Sequence, residues 1–123
     1  MSAGDDILQT ICLDFDGVVN NYKGWRDEGF DTVLDKPYPK AQECIAQLRA
    51  MGYRVVINSA RCAFNGGVQA IRDWCGWYDI EVDDVTYHKP PAWLYVDDRG
   101  YRFYSWDHFM VDLPSLEKTK EKQ

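Results

Sequence analysis

The chain has 123 residues, enough for one domain with a core of its own. Its formal net charge of −6 argues against broad nucleic-acid binding, which leaves a basic footprint, but leaves room for a local positive pocket. No stretch approaches the roughly 20 apolar residues that span a membrane, and the acidic, polar start Met1-Ser2-Ala3-Gly4-Asp5-Asp6 does not read as a signal peptide.

Residues 7–13 read as a first buried strand, closed by Asp14-Phe15-Asp16-Gly17. Residues 20–36 are polar and aromatic without a period, an excursion of loop or short flap carrying Tyr22, Trp25 and Phe30. Those rings either pack the flap onto the domain or form a small lid that stacks on a base or ring. Pro37 and Pro39 open a helix with Ala41, Cys44, Ile45, Leu48 and Met51 at helical spacing, and Gly52 stops it. Residues 53–57 form a second strand whose run Val55-Val56-Ile57 suits burial on both faces. It ends in Asn58-Ser59-Ala60-Arg61.

A second helix is predicted from about Gly66 to Trp77, with Trp74 and Trp77 in helix packing rather than ligand contact. A short strand follows at 84–87. Pro90-Pro91 breaks the chain, and Trp93-Leu94-Tyr95-Val96 is a further strand ending in Asp97-Asp98-Arg99-Gly100. Residues 101–106 suit a last edge strand, and 114–123 form a polar, charged tail, frayed or disordered, behind a single domain over 1–113. Cys12, Cys44, Cys62 and Cys75 form no CxxC pair and read as reduced core or near-core thiols of a cytoplasmic protein. His88 and His108 pair with no cysteine at zinc spacing, and His88 reads as a loop residue.

Strands alternating with helices imply a three-layer, doubly wound, Rossmann-like parallel sheet, with the ligand at the strands' carboxyl ends. Three strands end there in polar clusters, which gathers Asp14, Asp16, Ser59, Arg61, Lys89, Asp97 and Asp98. Four carboxylates around one point call for a cation, and oxygen-only ligands suit magnesium. Ser59 and backbone N–H groups offer donors to an anionic oxygen, and Lys89 and Arg61 offer charge. Such a site is built for a phosphoryl group, with one carboxylate free to attack phosphorus.

These residues resemble the haloacid dehalogenase-like (HAD-like) phosphohydrolases. Four motifs stand in order: Asp14-Phe15-Asp16-Gly17-Val18, then Val55-Val56-Ile57-Asn58-Ser59, then Lys89, then Leu94-Tyr95-Val96-Asp97-Asp98. Ser59-Ala60-Arg61 and Asp97-Asp98-Arg99 further resemble the phosphatase half of phage-type polynucleotide kinases, which carry a longer segment between the second and fourth motifs. The resemblance implies Asp14 as nucleophile and magnesium ligand. It implies Asp16 as general acid and then base, its carbonyl also on the metal. Ser59 would hold a phosphoryl oxygen, Lys89 would neutralise phosphate and nucleophile, and Arg61 would be a further phosphate contact. Asp97 or Asp98 would complete the metal shell.

Lys89 stands only eight residues before Asp97, closer than the family lysine usually is, and Pro90-Pro91 follow it. The alternative gives its charge to Arg61 or Arg72. The expected activity is a magnesium-dependent phosphatase, with minimal or no cap, acting on a phosphorylated small molecule or a nucleotide or oligonucleotide end. A missing cap leaves the site open to a large substrate or to closure by a second subunit. The rivals are an idle binding module on this fold and a phospho-accepting receiver module. The receiver's motif order does not match, because Ser59 stands where its acceptor aspartate belongs.

Overall fold

The computed structural model describes residues 7–97 and 100–122; Asp98, one of the expected site residues, lies outside them. Five parallel strands run β1 (Thr10–Asp14), β2 (Arg54–Asn58), β3 (Asp84–Thr86), β4 (Leu94–Asp97) and β5 (Tyr101–Arg102). Their order in the sheet is β3-β2-β1-β4-β5, so the winding reverses between β1 and β4, as in a doubly wound sheet. β1 lies between β2 and β4, and its first four residues are buried, which accounts for its unbroken apolar run.

Register and the two-residue side-chain period sort the strands into two faces. Ile11, Leu13, Val55, Ile57, Val85 and Val96 join one hydrophobic core with three helices. Helix α1 (Ala41–Ala50) buries Ala41, Cys44, Ile45 and Leu48 of the predicted stripe, whereas Met51, its fifth member, is the C-cap and exposed. Helix α2 (Gly67–Trp77) adds Ile71, Trp74 and Cys75, and helix α3 (Trp106–Glu117) adds Trp106, Phe109 and Leu113. Trp74 is fully buried, as the sequence implies, whereas Trp77 is exposed.

The other face carries Cys12 and Asp14, Val56 and Asn58, and Tyr95 and Asp97. No helix covers it between β3 and β4, because only residues 87–93 separate these strands. Those residues cross the face as a strap. Three strand spacings sideways plus the descent of a four-residue strand need about 20 Å. An extended segment rising about 3.1 Å per residue covers that distance, and Pro90-Pro91 favour that extension. The strap lies on Tyr95: the Tyr95 hydroxyl donates to the Pro90 carbonyl and accepts from Ala92 N at 3.1 Å. Cys12 and Val56 beneath are 3% and 0% exposed.

The C-terminal end departs from expectation. β5 spans two residues because Ser105 caps α3, its Oγ accepting from His108 N at 3.0 Å. The helix continues through Pro114 to Glu117, and a 3₁₀ segment follows over Lys118–Lys122. The Tyr53 hydroxyl donates to Glu117, and Lys120 Nζ sits 4.4 Å from the Tyr53 ring centroid and 4.1 Å from that of Trp93. This part of the predicted polar tail is docked by aromatic rings. Among the described residues no helix is long and apolar enough to cross a membrane.

Candidate active site

Asp14 is the last residue of β1 and stands half-buried at its carboxyl end, its Oδ1 accepting from Phe15 N at 2.9 Å. The chain then turns tightly. Val19 N and Asn20 N both reach the Phe15 carbonyl, at 3.0 and 2.9 Å, and Gly17 N donates to the Asn20 carbonyl at 2.9 Å. Gly17 takes φ 89°, a left-handed conformation that side-chain-bearing residues rarely adopt. Phe15 anchors the turn, edge-on to Trp74 with ring centroids 5.0 Å apart. Asp14 and Asp16 thereby line one cavity of about 230 Å³ with Gly17, Val18, Asp97, Arg102 and Phe103.

Parallel register brings Asp97 to this spot. Leu13 pairs with Val96, so the next residues, Asp14 and Asp97, end adjacent strands side by side. Asp97 Oδ1 accepts from Gly100 N at 2.6 Å, and its Oδ2 lies 3.1 Å from Lys89 Nζ. Lys89 arrives on the strap, three residues past β3. Asn58 fastens the strap's start, its Nδ2 donating to the Thr86 and Tyr87 carbonyls at 3.1 and 2.7 Å. A short strap therefore delivers a lysine to the acidic end of β4 without a helix to carry it. The hydrogen bond to Asp97 holds the Lys89 ammonium above its ordinary pKa. Arg72, the alternative source of that charge, pairs instead with Asp84 at 3.1 Å. Below the site, burial pushes the Cys12 thiol up to about 11, against the pull of Lys89.

Ser59 and Arg61 sit apart from the cavity wall. Ser59 is buried and caps a 3₁₀ turn over Ala60–Ala63, its Oγ accepting from Arg61 N at 3.2 Å. Arg61 is 4% exposed and folds back onto Asp16, with Nε 2.8 Å from Oδ2 and Nη2 3.2 Å from Oδ1. Its Nη1 donates to the Thr32 carbonyl at 2.9 Å. Asp16 is thus the junction between the cavity and the buried Ser59–Arg61 side.

The 20–36 excursion is a folded loop with no strand or helix of its own, joined to its surroundings by isolated bridges at Asn20. Asn21 N reaches the Lys36 carbonyl at 2.8 Å, and Trp74 Nε1 donates to the Asp35 carbonyl at 2.8 Å. Its aromatics pack on the domain: Phe30 stacks on Phe64 at 4.0 Å, and Trp25 lies against Phe30 at 5.1 Å. Tyr22 faces the Arg61 guanidinium at 5.9 Å.

Sequence reasoning missed three residues at this site. Asn20 is fully buried and donates from Nδ2 to Asp16 Oδ1 at 2.9 Å; its signal was an amide four residues after Asp16. Asn58 reads as a strand-end residue, yet it pins the strap. Arg102 lies beside Asp97 in register and lines the cavity, a cation just beyond the acidic turn.

Magnesium was expected on Asp14, Asp16, Asp97 and Asp98. Among the described residues no three His, Cys, Asp or Glu side chains gather closely enough to hold a metal ion. Magnesium asks for less: one or two carboxylates, with waters and substrate oxygens filling its octahedron. Asp14 and Asp97 on one cavity wall are hard oxygen donors of that kind, so the residues fit the ion.

No protein family model and no curated protein matches the sequence. Solved structures resemble the fold. A conserved protein from Bacteroides thetaiotaomicron superposes with a TM-score of 0.65 at 23% identity, over 94% of this chain and 93% of that one. A protein from Vibrio cholerae gives 0.58 at 16%, over 92% and 99%. A chain of the Pnkp1/Rnl/Hen1 complex gives 0.53 at 19%, over 86% of this chain and 34% of its own length. The fold is a doubly wound, Rossmann-like parallel sheet, similar to that of these solved structures.

Proposed function

We propose that this protein is a magnesium-dependent phosphomonoesterase that works through a phospho-aspartate. The observation that carries the reading is one cavity at the strands' carboxyl ends, lined by Asp14, Asp16 and Asp97, with Lys89 bonded to Asp97. An Asp14 carboxylate oxygen attacks phosphorus, the bond from phosphorus to the ester oxygen breaks, and Asp16 gives that oxygen a proton. Water then attacks the acyl phosphate, Asp16 takes its proton, and inorganic phosphate leaves with Asp14 restored. Lys89 and Arg102 offset phosphoryl charge. Magnesium would be held by Asp14 and Asp97 and would supply charge neutralisation for the crowded carboxylates and the phosphoryl oxygens.

The resemblance of Ser59-Ala60-Arg61 and Asp97-Asp98-Arg99 to the phosphatase half of phage-type polynucleotide kinases favours a nucleotide or a nucleic-acid end as the phosphate carrier. The minimal cap leaves the mouth open to an end of that size. The test is hydrolysis of an aryl phosphate and of 3′- and 5′-phosphorylated nucleotides, with magnesium and with chelator. Magnesium-dependent turnover that Asp14→Asn abolishes supports the reading; a wild-type protein inert across the panel refutes it.

A further inference from the structure

We infer that Arg61 and Asn20 are positioning residues that act through Asp16 and do not meet the substrate. The inference rests on the phosphatase reading above and adds how its acid–base carboxylate is aimed. Arg61 grips both oxygens of Asp16 with a fork, 2.8 Å from Nε and 3.2 Å from Nη2, a geometry that fixes direction as well as distance. Its third nitrogen donates to the Thr32 carbonyl at 2.9 Å. Every guanidinium nitrogen is engaged, the side chain is 4% exposed, and Arg61 is not part of the cavity wall. That is the setting of a holder and not of a phosphate clamp.

Asn20 adds a third bond to the same carboxylate, from Nδ2 to Oδ1 at 2.9 Å. Its backbone is itself fixed, N on the Phe15 carbonyl and O on Gly17 N, both at 2.9 Å. The residue is fully buried, and its Oδ1 has no partner among the described residues. Turning the amide over would set Oδ1 against an Asp16 oxygen, so Asp16 alone decides the orientation of this buried group. Asp16 therefore receives three hydrogen bonds from two buried side chains, while its own side chain keeps 26% exposure. A carboxylate held in this way cannot swing, and a general acid needs that, because it must meet the leaving oxygen at hydrogen-bond distance. Through Thr32 the same arginine also holds the 20–36 loop, so loop position and Asp16 orientation share one anchor.

The test is a series of phosphate monoesters whose leaving groups range from dinitrophenol, which departs without a proton, to phenol and a simple alcohol, which need one. Arg61→Lys keeps the charge and loses the fork. It is expected to lower kcat/KM, which reports phosphoryl transfer to Asp14 and not the later hydrolysis, about 100-fold on the phenyl and alkyl esters, within the range of general acid catalysis, and by less than about tenfold on the dinitrophenyl ester. Asn20→Ala is expected to show the same slope with smaller losses, and it carries the test if Arg61→Lys fails to fold by circular dichroism. Equal losses of kcat/KM on every ester overturn the inference, as does a raised KM at unchanged kcat, the mark of a direct phosphate contact. A wild-type protein that hydrolyses none of the series overturns the phosphatase reading, and this inference falls with it.

Discussion

Replacing Gly67 by alanine sets helix propensity against a backbone collision. Gly67 is the first residue of α2, where alanine would gain at most about 1 kcal/mol over glycine. A Cβ there would lie 1.8 Å from the Arg61 carbonyl oxygen, 2.6 Å from its carbon and 3.3 Å from Cys62 N. These are backbone atoms and cannot rotate away. Carbon and oxygen settle at about 3.3 Å, so the two segments must part by roughly 1.5 Å. Overpacking of this kind costs about 1–3 kcal/mol, and a lost turn hydrogen bond adds about 1. The bonds at risk are Phe64 N to the Arg61 carbonyl at 3.1 Å and Gly67 N to the Phe64 carbonyl at 3.0 Å. The net expectation is a loss of about 2–3 kcal/mol, close to 10 °C in Tm for a domain of this size. Because the displaced residue is Arg61, activity should fall further than the folded fraction does.

Gly76 is the internal control: it lies in the same helix, and a Cβ there meets nothing within 4 Å. Gly76→Ala should raise stability by about 0.5–1 kcal/mol. Thermal and urea melts of the two variants decide the matter. A Gly67→Ala protein as stable as wild type would refute the close approach of α2 to the Arg61 turn.

Asp83→Asn should be destabilised by about 1–2 kcal/mol at neutral pH and match wild type near pH 2, as read from urea melts. Burial alone would raise the Asp83 carboxyl, but bonds from Arg49 and Val55 N outweigh burial and hold it below its ordinary value. Its stabilisation is therefore present above about pH 4 and lost as pH falls through the lower folded-state value. Burial pushes the Cys12 thiol up to about 11 and Cys75 to about 12, so both should resist a thiol reagent at neutral pH until urea unfolds the chain; rapid native labelling at either would contradict the packing. Trp93→Ala removes the ring stacked on Tyr53 at 5.7 Å and one side of the Lys120 sandwich. It should cost about 2–3 kcal/mol and expose the end of the chain to protease, whereas an unchanged melt would mean the aromatic docking contributes nothing.

Much of this arrangement was readable in the residues because burial on both faces leaves a plain mark. Ile11-Cys12-Leu13 and Val55-Val56-Ile57 announce central strands, and parallel pairing then forces Asp14 and Asp97 to adjacent strand ends. Helix α1 was legible from its stripe and from Gly52, which takes φ 98°. What was not legible depends on contacts between segments far apart in sequence. Arg61 could be seen as a cation near the site, but its turn back to Asp16 depends on the 20–36 loop, whose Thr32 carbonyl takes the third nitrogen. That loop has no period, so no hydrophobic spacing marked Asn20 as buried, and only its place four residues after Asp16 pointed to the site. The strap was visible only as a short interval with two prolines, because extension across a sheet face leaves no repeating pattern. Ser105 ended the expected last strand early, as the cap of α3.

The central claim is that Asp14 becomes phosphorylated during turnover. The direct measurement is to quench the magnesium-loaded protein during hydrolysis of a phosphate ester, reduce any acyl phosphate with borohydride, and map the modified peptide by mass spectrometry. The account predicts homoserine at position 14 in the wild-type chain and none in Asp14→Asn. Steady turnover with position 14 unmodified, or with the modification at Asp16 or Asp97 instead, would contradict it.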